Sequence, residues 1–206
     1  MIFIKIIAIF ILALVIFYKF WFLRNPKFTV PKGNNLISPA QGRISKIIEI
    51  KGGSKNNIEK GKGRIGIWAD NLEGKDGYLI SIVMTPFDMH FQKAPIAGTI
   101  TKVQHTKGKH KNALSKKLRP EDYAENEHRE FTIEGKNLKI KIIQIAGFLA
   151  RRTVSLVHES QKVAKGQDIG LIRFGSQVTL IIPKLPLKIK VGDKVKAGRT
   201  IIALNP

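Results

Sequence analysis

There is no cysteine among the 206 residues. Disulfides, zinc–thiolate centres and thiol nucleophiles are therefore excluded, which fits a reducing compartment. Acid is scarce too: 15 Asp and Glu stand against 36 Lys and Arg, for a net charge of +21. Such a balance implies an anionic partner, nucleic acid or anionic lipid, unless it is the compositional habit of a lysine-rich proteome. Nucleic acid is disfavoured, because aromatics do not interleave with basic residues on the strand-like runs. No two of the five histidines have metal-ligand spacing, so no metal is expected. No lysine stands at a hairpin tip between methionines, so a carried lipoyl or biotin is not supported. What is present is 43% hydrophobic residues, enough for the core of one domain plus an anchor.

The longest apolar run decides between the anionic partners. Ile2 to Leu23 is broken only by Lys5 and Lys19, near its two ends. As a helix it reaches roughly 33 Å, against about 30 Å of hydrocarbon. Tyr18 and Trp21 suit an interface. The run has no polar face, and Phe-Trp-Phe-Leu-Arg-Asn-Pro offers no small-residue cleavage site. We expect a membrane anchor over residues 1–24, spanning or inserted. Arg24, Lys27 and Lys32 follow directly, which puts the globular part, residues 25–206, on the cytoplasmic side of the cell membrane. The basic stretch Lys107 to Arg119 is either a solvated loop or an electrostatic foot on anionic lipid.

Beyond a Pro- and Gly-broken linker to Asn35, period-two alternation predicts strands. They are Ile44–Ile50, Arg64–Trp68, Tyr78–Met84, Gly98–Val103, Glu130–Ile133 and Leu138–Ile143. Helix is expected only around Ala146–Val157. Two internal echoes stand out. Pro39-Ala-Gln-Gly-Arg-Ile-Ser-Lys46 repeats as Pro95-Ile-Ala-Gly-Thr-Ile-Thr-Lys102, and Val163-Ala-Lys-Gly-Gln-Asp-Ile169 repeats as Val195-Lys-Ala-Gly-Arg-Thr-Ile201. Paired half-motifs of this kind predict a mainly β, barrel-sandwich-hybrid-like single domain behind an N-terminal transmembrane helix.

Chemistry concentrates in four separated segments. Gly175-Ser176 lies between two apolar, strand-like runs. Met84-Thr-Pro-Phe-Asp-Met-His90 carries an acid and a histidine two apart, which on an extended segment face one side. Gln144-Ile-Ala-Gly-Phe-Leu-Ala-Arg-Arg152 ends in paired arginines, and Ser38-Pro-Ala-Gln-Gly42 opens a strand. A histidine can move a proton either way near neutral pH. Paired arginines can hold a phosphate bidentately or simply solvate a surface.

Together these segments resemble the phosphatidylserine decarboxylase family, and its short-chain, archaetidylserine-decarboxylase-like branch in particular. The resemblance implies a proenzyme that cuts its own backbone between Gly175 and Ser176. The products are residues 1–175 and 176–206, which remain together as a heterodimer. Ser176 becomes a pyruvoyl group, and that pyruvate is the cofactor that takes the substrate amine as a Schiff base. The reaction implied is decarboxylation of a phospholipid serine headgroup to ethanolamine, on an ester (phosphatidyl) or ether (archaetidyl) lipid. His90 is then the expected proton carrier, with Asp88 orienting it, and Arg151 and Arg152 are the candidates for the lipid phosphate. Gln41 departs from the family's Ser-Pro-x-Asp-Gly pattern; it orients by hydrogen bonding but cannot act as a base, so the processing base is His90, Asp88 or another group. Glu125-Asn-Glu-His-Arg129 resembles a family segment and reads as structural. The rival reading is a non-enzymatic, membrane-tethered β-hybrid adaptor, which predicts an uncut chain.

Overall fold

A computed structural model of the chain describes residues 2–52, 69–108, 126–147, 152–173 and 176–205. The expected strand Arg64–Trp68 and residues 109–119 of the basic stretch lie outside them.

The N-terminal run is helical, α1 (Ile2–Ile16) continuing into a π-helical turn, Phe17–Phe22. At 21 residues it is long and apolar enough to cross a membrane. Among the described residues thirteen strands follow: β1 (Leu36–Ile37), β2 (Gly42–Ile50), β3 (Gly77–Met84), β4 (Phe91–Lys93), β5 (Gly98–Thr106), β6 (His128–Glu134), β7 (Lys139–Ala146), β8 (Arg152–Ser155), β9 (Lys162–Val163), β10 (Asp168–Arg173), β11 (Ser176–Pro183), β12 (Lys194–Val195) and β13 (Ile201–Ala203). The fold is mainly β, as expected. The helix expected around Ala146–Val157 is corrected: Ala146 closes β7 and Arg152–Ser155 form β8. β8 is four residues long with only Thr153 buried, too short a run for its period to separate strand from helix.

Eight strands in the order β12-β2-β3-β11-β7-β6-β5-β9 curl into half a barrel. Ile80, Ile82, Ile140, Ile142, Val178 and Leu180 point into the main core. Their neighbours Leu79, Ile143, Ile145 and Ile181 form a second cluster with Leu72 on the opposite face. The central strands are therefore covered on both sides, and their alternation is apolar on apolar.

The two sequence echoes are one structural repeat. Gly42 pairs with Val195, and Gly98 with Val163. Ile44 N–H donates to Asp193 O and Ile100 N–H to Gln161 O, both at 2.9 Å. Gly198 N–H reaches Ser38 O and Gly166 N–H reaches Ala94 O, both at 2.8 Å. Each half also bulges at the same place, after Ile44 and after Ile100. The linker is clasped by this repeat, with Phe28 against Gly198 and Val30 against Gly166, too close for a Cβ at either glycine.

Candidate functional site

Three central strands break off together. β3, β11 and β7 lie side by side in the large sheet; β4, β10 and β8 lie side by side, in the same order, in a separate three-stranded sheet. Three connections link the strands of the two sheets in the sequence: residues 85–90 from β3 to β4, 147–151 from β7 to β8 and 174–175 from β10 to β11. Each crossing carries one of the chemical motifs. The register fixes their alignment. Ser176, the first residue of β11, lies opposite Met84 on one side and Ala146 on the other. Across the gap, Arg173 lies opposite Arg152, and Ile172 N–H donates to His90 O at 3.2 Å. Gly175, Arg151 and the side chain of Ser176 lie outside the described residues.

Residues 85–90 form a turn, which corrects the extended segment expected for Asp88 and His90. Thr85 N–H and Oγ1 both donate to Asp88 Oδ2 at 2.8 Å, so this carboxylate closes its own loop. Its other oxygen accepts from Gln41 Nε2 at 3.2 Å. It is the Asp88 backbone carbonyl that meets His90 Nδ1, at 2.8 Å. A carbonyl only accepts, so Nδ1 carries the proton and Nε2 presents its lone pair. His90 is fully buried, and its Nε2 has no hydrogen-bond partner among the described residues. Burial pushes its pKa down to about 4, and Arg24 adds to the depression. The Asp88 carbonyl and carboxylate pull the other way and are outweighed.

Buried amides brace this loop. Gln92 Nε2 donates to His90 O at 2.8 Å, and Gln144 Nε2 donates to Gln92 Oε1 at 2.6 Å. Asn126 Nδ2 donates to Ala146 O at 2.8 Å, which fixes the end of β7 beside Ser176. Arg152 and Arg173 share one exposed face as a directly opposed like-charge pair. Such a pair costs stability unless an anion lies between its members. Gln92, Gln144, Arg173 and Phe22, whose ring centroid is 4.0 Å from that of His90, were not singled out by sequence reasoning. A glutamine inside an apolar run such as Ile143-Gln-Ile145, or an arginine three residues before Ser176, was the signal available. Among the described residues no His, Asp and Glu group stands together as a metal site.

Residues 17–203 match the phosphatidylserine decarboxylase family. A phosphatidylserine decarboxylase proenzyme of Chlorobium phaeovibrioides is 34% identical over 194 residues, 93% of this chain and 78% of its own. Two archaeal proteins carry the provisional name archaetidylserine decarboxylase proenzyme. That of Methanothermobacter thermautotrophicus is 37% identical over 93% of this chain and 83% of its own. That of Methanocaldococcus jannaschii is 33% identical over 98% and 96%.

Proposed function

Since the chain belongs to the phosphatidylserine decarboxylase family, we propose that it is a carboxy-lyase that converts a phospholipid serine headgroup to ethanolamine after cutting itself at Gly175-Ser176. The observation that carries this reading is the alignment of the three strand breaks. They bring the start of β11, the His90 loop and the end of β7 to one level of the sheet.

Self-cleavage is an N-to-O acyl shift. Ser176 Oγ gives up its proton and attacks the Gly175 carbonyl carbon, the peptide C–N bond breaks, and the leaving nitrogen takes up a proton to become a free amine. Loss of the Ser176 α-proton then expels the Gly175 carboxylate and leaves dehydroalanine. Water displaces ammonia from its imine tautomer, giving the pyruvoyl group. The pieces 1–175 and 176–206 stay joined, because β11 is hydrogen-bonded between β3 and β7 along its length.

The residues present fit such a group, because the buried His90 Nε2 lacks a partner in the same stretch. When present, the pyruvoyl ketone supplies an electron sink for the pair left as carbon dioxide departs. His90 takes a proton at Nε2 and returns it to the carbon that loses carbon dioxide; its low affinity makes the return easy. Arg152 and Arg173 hold the lipid phosphate, which relieves their mutual repulsion. The N-terminal helix spans the membrane with residues 25–206 on the cytoplasmic side, in keeping with the basic flank Arg24, Lys27 and Lys32.

Intact mass spectrometry of the purified protein, with carbon dioxide release from vesicles of diacyl or diether phosphoserine lipid, tests the reading. Two fragments and a release from one lipid class are expected. A single uncut chain that releases nothing sinks it and leaves the adaptor. Protease added outside intact cells should leave residues 25–206 uncut.

A further inference from the structure

The N-terminal helix has a buried end. Its apolar residues from Ile2 to Ile16 are exposed, whereas Phe22 is fully buried. The Phe22 ring lies against the imidazole of His90, centroid to centroid 4.0 Å and tilted by 31°. Tyr18 stacks behind Phe22 at 5.5 Å. One turn earlier, Phe17 meets Phe87 edge-on at 6.0 Å. Arg24 completes the contact, with Nη2 donating to Phe87 O at 2.5 Å and Nη1 to Trp21 O at 2.8 Å. The same loop thus receives the helix end at Phe87 and at His90.

The local geometry is what makes both contacts possible. At about 100° per residue, an α-helix sets residues five apart roughly 140° from each other. Here the helix widens into a π-turn over Phe17–Phe22, with Leu23 N–H donating to Tyr18 O at 3.1 Å. Five-residue bonding swings Phe17 and Phe22 towards one face, and both rings meet the domain, Phe17 at Phe87 and Phe22 at His90. An insertion of this kind in an otherwise regular helix carries a cost, and here it secures the seating of two rings on one catalytic loop.

We propose that Phe22 is a positioning residue for His90, so that the last turn of the membrane helix is a wall of the catalytic site. This rests on the decarboxylase reading for His90. The ring closes the side of the imidazole that water would otherwise reach, and it fixes the ring plane while the Asp88 carbonyl fixes the tautomer. The charged groups that face His90 are Asp88 from its own loop and Arg24 from the helix end.

The test is an NMR titration of His90 in the full chain in detergent micelles, run with the pH profile of turnover on dispersed phosphoserine lipid. In the wild type, His90 should titrate near about 4. Phe22→Ala admits water and should raise the midpoint by about one unit or more towards 6.5. The acid limb of kcat/KM should follow, and kcat at neutral pH should fall about tenfold. Phe22→Leu, still apolar and bulky, should keep the wild-type midpoint. An unshifted midpoint and acid limb in folded Phe22→Ala overturns the proposal. If that variant fails to fold, a wild-type His90 titrating near 6.5 overturns it instead. A wild type that neither cuts itself nor releases carbon dioxide, while its His90 still titrates with Phe22, sinks the decarboxylase reading and leaves the wall standing.

Discussion

Residues 36–50 with 187–203, and residues 92–106 with 155–171, share one backbone plan, yet at the turn before the long strand only the first half brings a side chain to the strand breaks. At the turn before β2 the repeat carries Gln41, which donates to Asp88. At the equivalent turn before β5 it carries Ala97, exposed. The glycines that follow are under the same constraint. A Cβ on Gly42 would lie 2.3 Å from Val83 O, and one on Gly98 2.4 Å from Glu134 O. The repeated frame supplies position, and at this turn only its first half carries a polar side chain. The asymmetry arises because β3, β11 and β7 break off, whereas β6 and β5 do not continue into the small sheet.

If chemistry belongs to the breaks and not to the frame, the largest effect must come from the crossing at 174–175. Ser176→Ala should abolish chain cleavage and decarboxylation together while the fold survives. Mass spectrometry and circular dichroism read both. An Ala variant that still yields a pyruvate-blocked fragment would place the chemistry elsewhere.

His90 comes next. His90→Ala should lower turnover at least ~100-fold, the low end for one general acid–base group. Wild-type stability should also depend on pH in a definite direction. The folded pKa, about 4, lies below the ordinary 6.5, so the unfolded chain binds more protons between these values. Stability from the neutral imidazole is complete above pH 6.5 and is lost as pH falls towards 4. The shift corresponds to on the order of 3 kcal/mol. Urea midpoints measured from pH 4 to pH 7 should rise steeply in the wild type and less so in His90→Gln.

The frame was legible in the sequence and the site only in part. Pro39–Lys46 and Pro95–Lys102 announce their repeat because turn glycines and strand alternation are local properties. The pairing of Ser176 with Met84 and Ala146 is not local, so no window of sequence displays the shared break. Asp88 and His90 stand out in the sequence, but their relation does not, since a turn takes the place of the extended segment. Phe22 was hidden in an apolar run whose neighbours face outward; only the π-turn distinguishes it. Arg173 looks like any strand-end charge until its register sets it against Arg152.

The equivalent glycines separate frame from chemistry directly. Gly42→Ala and Gly98→Ala each push a Cβ into a backbone carbonyl, and each should cost about 1–3 kcal/mol, read as a similar fall in Tm. Cleavage should slow in Gly42→Ala alone, because that shift displaces Gln41. Equal slowing in both would mean that the halves contribute alike.

The smallest effect is the most discriminating, because it replaces one amide by a shorter carboxylate at one of two equivalent turns. Gln41 donates to Asp88 but has no basic group to offer. In Gln41→Asp the introduced carboxylate faces that of Asp88, which is already held by Thr85 N–H and Oγ1. Like charges this close raise the affinity of one carboxylate for a proton. The newcomer, with fewer hydrogen bonds, takes that shift and becomes the better base near neutral pH. Chain cleavage should therefore speed up severalfold, while turnover per cleaved molecule stays as it was, since the proposed turnover runs through His90 and not through residue 41. Ala97→Asp, which introduces the same residue on the other half, should change neither rate. Time courses of fragment appearance, with turnover normalised to the cleaved fraction, separate the outcomes. Should Gln41→Asp and Ala97→Asp cleave at the same rate, Gln41 is part of the frame, and the processing base lies on the His90 loop alone.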